Sequence, residues 1–113
     1  MDKTVVNITN LNAGLTDNIN LGLIPPGAVW KVQSFGATDI NLGDHKSTMY
    51  VLRWGAGATW TNIRPISLTG NTVEILIEQD FVSHPSYQLN VLRWNRSAYN
   101  KYCSFWVKIV ERQ

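Results

Sequence analysis

The segment Thr72-Val73-Glu74-Ile75-Leu76-Ile77-Glu78 sets Val73, Ile75 and Ile77 in one row and Glu74, Leu76 and Glu78 in the other. A period of two is the signature of a pleated strand, whose successive side chains point to opposite faces. The same period returns near the C-terminus, where Cys103, Phe105, Val107 and Ile109 alternate with Tyr102, Ser104, Trp106 and Lys108. No stretch shows a sustained helical period with a cap, so the chain is expected to be all-β.

The remaining segments fit that frame. Thr4, Val6 and Ile8 alternate against Val5, Asn7 and Thr9; Leu15, Ile19 and Leu21 alternate with Thr16, Asn18 and Asn20. The phrase Ile24-Pro25-Pro26-Gly27 predicts a turn, because tandem prolines fix the backbone and Gly27 can supply a positive φ. Trp30 and Val32 then face one way, Lys31 and Gln33 the other. The polar run 36–48 reads as a long loop or weak edge strand. Pro65 demotes the segment 59–68 to an edge or a bulge. The run Thr69-Gly70-Asn71 signals a tight turn. About eight short strands separated by such signals predict an antiparallel β-sandwich, jelly-roll-like, with a small β-barrel as the alternative.

A chain of 113 residues supports one domain over 1–113, burying roughly two-thirds of the surface of the unfolded chain. Residues 1–10 are an arm or an edge strand. The five Trp and four Tyr argue against disorder. A net charge of +2, with basic residues scattered, provides no footprint for nucleic acid. Cys103 is the single cysteine, which rules out an internal disulfide framework. The N-terminal segment lacks a basic region followed by an apolar run, and no segment approaches the ~20 apolar residues of a membrane helix. No membrane partner and no export are therefore expected. The sequons Asn7-Ile8-Thr9 and Asn95-Arg96-Ser97 are then read as chance.

Val-Leu-Arg-Trp occurs twice, at Val51–Trp54 and Val91–Trp94. In each copy Leu and Trp share a face and Val and Arg share the other, so both predict a framework strand with its bulky pair inward and its Arg outward. The flanks of the copies differ, which favours convergence over duplication. A nucleic-acid reading would recruit Arg53, Arg93 and Arg96, with Trp60 and Tyr99 stacking bases. The favoured reading gives these arginines carboxylate or inter-subunit partners instead, with Asp39, Asp44, Glu74 and Glu78 available.

Nothing in the sequence points to an enzyme. His45 and His84 lie in no nucleophile or metal motif, and no phosphate loop or nucleophile elbow occurs. Asp39, Asp44 and His45 could gather around a cation, but their spacing matches no EF-hand, so they are read as solvated. No cofactor and no metal are expected.

Tyr102 and Trp106 lie opposite the buried row of the last strand, on a face that should be wet. Either the loop 36–48 folds over them or another chain does. The run Ile24–Val32, with the strand ends Leu-Arg-Trp-Gly and Trp-Val-Lys-Ile-Val-Glu, resembles small β-sandwich structural proteins of tailed bacteriophages. The resemblance implies a head decoration (cement) protein on the capsid surface of a virion, made in the host cytoplasm, self-associating as a trimer and clamping the major capsid protein. Its candidate contacts are Tyr102, Trp106, Arg53, Arg93 and Arg96. The alternative is a carbohydrate- or receptor-binding module of a tail or fibre, with Trp60 and Tyr99 stacking on sugar rings and the segments 55–62 and 95–101 forming the site.

Overall fold

The computed structural model describes residues 2–39, 48–68 and 72–113. Eight strands run in chain order: β1 (Asp2–Leu11), β2 (Thr16–Asn20), β3 (Val29–Asp39), β4 (Thr48–Ala56), β5 (Thr59–Leu68), β6 (Thr72–Val82), β7 (Gln88–Asn95) and β8 (Lys101–Arg112). They form two four-stranded sheets, β1-β8-β3-β6 and β2-β7-β4-β5, with every neighbouring pair antiparallel. β1 pairs with β8, β2 with β7, β3 with β6 and β4 with β5, which is one long hairpin rolled over on itself into a jelly roll. The sheets stay separate, so the structure is the sandwich and not the barrel. The N-terminal segment is an edge strand.

The two inner faces supply the core. Phe35, Ala37, Phe105, Val107 and Ile109 of the first sheet meet Tyr50, Leu52, Ile66, Leu89 and Val91 of the second, all buried. The inward row of β8 is the one its period predicted, and Val73, Ile75 and Ile77 pack against the core from β6. β3 needs a correction of phase midway. Trp30 and Val32 point inward, as do Phe35 and Ala37, because the register slips between Val32 and Ser34 and Gln33 forms a bulge. β5 is an edge strand that carries both Pro65 and a register shift, and Ile63 is its extra residue.

Turns close the ends. Pro25 to Ala28 form a turn in which the Ala28 N–H donates to the Pro25 carbonyl at 3.0 Å and Gly27 takes φ 81°, as a type II turn requires. That turn seats Ile24, Ala28 and Trp30 against the end of the core. The buried indole of Trp30 donates to Glu111 Oε1 at 2.7 Å, and the Lys3 ammonium lies 4.3 Å from its ring centroid. The run 36–48 is not a loop at its described ends: Gly36–Asp39 extend β3, an interior strand, and Thr48 opens β4. Its middle, Ile40 to Ser47, and the expected turn at Thr69-Gly70-Asn71 lie outside the described residues. No helix of the described residues is long and apolar enough to cross a membrane.

Candidate interaction surfaces

The outer face of the first sheet is built by register. Val6, Trp106, Gly36 and Glu74 lie in one row across β1, β8, β3 and β6, flanked by Ile8, Ser104, Thr38 and Thr72 on one side and Thr4, Lys108, Ser34 and Leu76 on the other. Val6, Ile8, Tyr102 and Leu76 are exposed, Leu76 at 69%. Trp106 is half-buried because it lies across Gly36: a Cβ there would sit 2.2 Å from ring atoms of the indole. The indole N–H donates to Glu74 Oε2, which also receives Lys108 Nζ at 3.3 Å and Ser34 Oγ at 3.4 Å. The Trp106 hydrogen bond, helped by Lys108 and Ser34 against a partial loss of water, holds the Glu74 carboxyl below the usual carboxylate range. The ion pair Lys108–Glu74 lies within this face beside the indole, and Lys31–Glu78 and Arg112–Asp80 lie toward the end of the face where β8 finishes.

Tyr102 and Trp106 therefore share one face, as the period of β8 requires, but Trp106 is already tethered by its own sheet. Gly36–Asp39 of the run expected to cover them are part of β3, in the same sheet as Trp106, and residues 40–47, with Asp44 and His45 of the candidate cation loop, lie outside the described residues.

The three arginines separate. Arg53 lies on the outer face of the second sheet, its Nε and Nη2 donating to Asn90 Oδ1 at 3.0 and 2.7 Å and its guanidinium 4.4 Å from the Trp60 ring centroid. The Asn90 amide passes the chain on to Asn20 Oδ1 at 2.8 Å, so a polar ladder crosses the face from β2 to β5. Partial burial lowers the pKa of Arg53 from its ordinary value. Arg96 is exposed at the end of β7, 5.5 Å from the ring centroid of Trp94.

Arg93 overturns the outward reading of its motif. Its side chain is 0% exposed and lies between the sheets. Nε and Nη2 grip Asp17 at 2.8 and 2.6 Å, Nη1 donates to Asn7 Oδ1 and the Cys103 carbonyl, each at 3.0 Å, and Nη2 donates to Thr9 Oγ1 at 2.5 Å. These bonds match the five N–H groups of a guanidinium, which is how a buried Arg stays charged without an orphan donor. The cause of the reversal is register: β4 and β7 are antiparallel neighbours, with Val51 opposite Leu92 and Leu52 opposite Val91. Pairing the two copies this way puts the Leu of one on the same face as the Val of the other. Tyr50, Leu52 and Trp54 face in from β4, whereas Leu89, Val91 and Arg93 face in from β7 and Trp94 is left 41% exposed. Arg93 thereby ties β7 and β2 of one sheet to β1 and β8 of the other.

Trp60 and Tyr99 are not brought together. Trp60 stands where β5 leaves the two-residue turn after Ala56, its indole donating to the Gly57 carbonyl at 2.7 Å. Tyr99 is exposed on the link from β7 to β8, at the other end of the sandwich. That link is held by Asn95, fully buried, which donates to the carbonyls of Leu11 and Tyr99, both at 2.8 Å, and accepts from Ser97 N–H and Oγ at 3.0 and 2.6 Å. The second sequon is thus spent inside the fold.

His84 supports its own loop: Nδ1 accepts from the N–H groups of Ser86 and Tyr87 at 3.1 and 2.9 Å, and the ring stacks on Tyr87 at 4.1 Å. Among the described residues no three His, Cys, Asp or Glu side chains gather as metal ligands. Sequence reasoning missed Asp17, Asn7, Thr9, Asn90, Asn95 and Gly36. One signal was available: Asp17 shares the inward parity of Ile19, and a carboxylate there needs a cation.

Eight antiparallel strands in this order define a jelly-roll β-sandwich. No protein-family model and no curated protein matches the chain. Among solved structures it is similar to a subunit from the work on Bacillus endospore appendages that form disulfide-linked pili, at 11% identity over 96% of this chain and 85% of that one, with a TM-score of 0.56. It is similar to PirA at 16% identity, covering 95% of this chain and 91% of that one with a TM-score of 0.43, and to a family 16 carbohydrate-binding module at 10% identity, covering 94% and 76% with a TM-score of 0.41. The first likeness is one of fold; the other two fall short of that.

Proposed function

We propose that this chain is a non-enzymatic structural subunit that associates with itself, and that its setting is the capsid surface of a tailed bacteriophage, where it decorates and clamps the major capsid protein. The observation that carries the reading is the outer face of the first sheet, which exposes Val6, Ile8, Tyr102 and Leu76 around half-buried Trp106 and carries ion pairs beside the indole and at one end. Exposed apolar and aromatic side chains set among charged ones are what protein interfaces commonly combine. The resemblance of Ile24–Val32 to phage structural proteins supplies the setting. The appendage subunit of similar fold belongs to disulfide-linked pili. Here the single cysteine is buried, so association would rest on noncovalent contact.

The glycan-binding alternative draws less support. Its two aromatic loops lie at opposite ends of the sandwich, and one face of Trp60 is occupied by Arg53.

The first test is the solution mass by light scattering across a dilution series. An assembly of several protomers that persists on dilution supports the reading, and co-sedimentation with capsids built of the major capsid protein tests the setting. A monomer at every concentration that also fails to co-sediment would overturn it.

A further inference from the structure

Four strands stand at sheet edges, and three carry the devices that keep an edge from pairing. β6 bears Glu74, Glu78 and Asp80, β5 bears Arg64 and Pro65, and β2 is only five residues long and includes Asp17. β1 has none of these beyond its first two residues. It runs for ten residues, and from Thr4 through Thr16 the chain holds no charge and no proline. Among the described residues no strand pairs with its outer edge.

The sequence of that edge is also nearly its own mirror. About Asn7, Val6 stands against Ile8, Val5 against Thr9 and Thr4 against Asn10. These are apolar with apolar, two β-branched residues of equal shape, and polar with polar. A two-fold axis through Asn7 would set Val6 of one copy opposite Ile8 of the other, and Asp2 and Lys3 would meet the neutral Asn12 and Leu11. Outward-pointing backbone groups meet one another only in a register that keeps residue parity, and this register does. It also continues the outer face: the row that holds Trp106 and Val6 runs on into Ile8 of the second copy, so Trp106, Val6 and Ile8 of the two copies form one apolar patch across the seam.

We infer that β1 is a self-pairing edge, and that two copies of this chain join antiparallel through it, centred on Asn7, into one eight-stranded sheet. The occupant is a second copy because the edge is neutral and self-complementary, as an isologous contact must be. The inference rests on the self-association proposed above and goes further, by fixing the site, the symmetry and the stoichiometry.

The test is a register-specific cross-link. In this pairing Val6→Cys and Ile8→Cys face each other across the axis, within reach of a disulfide, whereas two copies of either single variant are offset diagonally beyond its reach. Both positions are exposed, so the fold should tolerate the changes, and native Cys103 is buried. After mild oxidation of the full chain, non-reducing electrophoresis should show a covalent dimer for the double variant and none for either single one. Ile8→Lys, checked for fold by circular dichroism, should halve the mass in solution. An associated wild type whose double variant fails to cross-link, or whose single variants cross-link equally well, would overturn the edge pairing and leave the self-association standing. A wild-type mass of three protomers would also overturn it, because a two-fold edge builds even-numbered assemblies. A monomeric wild type would overturn both.

Discussion

Replacing Arg93 by Met removes a buried charged group that joins both sheets while keeping an aliphatic stem beside Phe105. Breaking a buried ion pair from one side costs about 3–5 kcal/mol. Here the lower end applies, because the Asp17 side chain is 35% exposed and regains water once its partner is gone. The Cys103 carbonyl, Asn7 and Thr9 lose donors at the same time, and those losses overlap with the pair rather than adding to it. A cost of about 3 kcal/mol follows. With an unfolding entropy of about 2.1 cal/mol/K per residue over 113 residues, Tm should fall by about 12 °C. Urea unfolding followed by tryptophan fluorescence and far-UV circular dichroism would measure it. Arg93→Lys should lose about half as much, because an ammonium keeps the charge but not the bidentate fork. A double-mutant cycle with Asp17→Asn should give a coupling above about 1.5 kcal/mol. If Arg93→Met costs less than about 1 kcal/mol, or the coupling is near zero, the clamp does not hold the sheets together and the reasoning is refuted.

Gly36→Ala should cost about 1–3 kcal/mol, because the new Cβ collides with the Trp106 ring, and combining it with Trp106→Ala should recover most of that loss in the same urea assay. Glu74 has a folded pKa below its unfolded one, so its contribution to stability is present above the ordinary carboxylate range of about 4.3 and is lost as pH falls through the folded value. Trp106→Phe removes the indole donor and should move the Glu74 titration upward in a carboxyl NMR experiment; an unmoved curve would mean the indole is not the cause. Asn95→Ala should cost about 2 kcal/mol by orphaning the groups that its amide bridges. When the wild type is expressed through a secretory host, the peptide containing Asn95 should carry no glycan by mass spectrometry.

Local chemistry made much of the architecture legible. The period of two in β6 and β8 identified which residues line the core, since a strand with one buried face must alternate. The prolines and Gly27 announced a turn, because proline fixes its own backbone and glycine accepts a positive φ, and Pro65 marked an edge or a bulge because it has no N–H to give a central ladder. The faces of β8 likewise put Tyr102 and Trp106 together without any knowledge of neighbours.

Other features depend on which strands meet. The two Val-Leu-Arg-Trp copies are identical as sequence, yet one sends its Arg out and the other sends it in, because face is set by register and register by pairing across the sheet. Arg93 can be buried only because Asp17, Asn7 and Thr9, more than seventy positions away, supply acceptors between the sheets. Gly36 beneath Trp106 and the bulge at Gln33 are likewise products of strand neighbours. The sequence by itself determined alternation, turns and edges, which follow from each residue's own backbone and polarity. Tertiary structure alone decided which face of each strand the core would claim and which charges it would enclose, because those depend on partners distant in the chain.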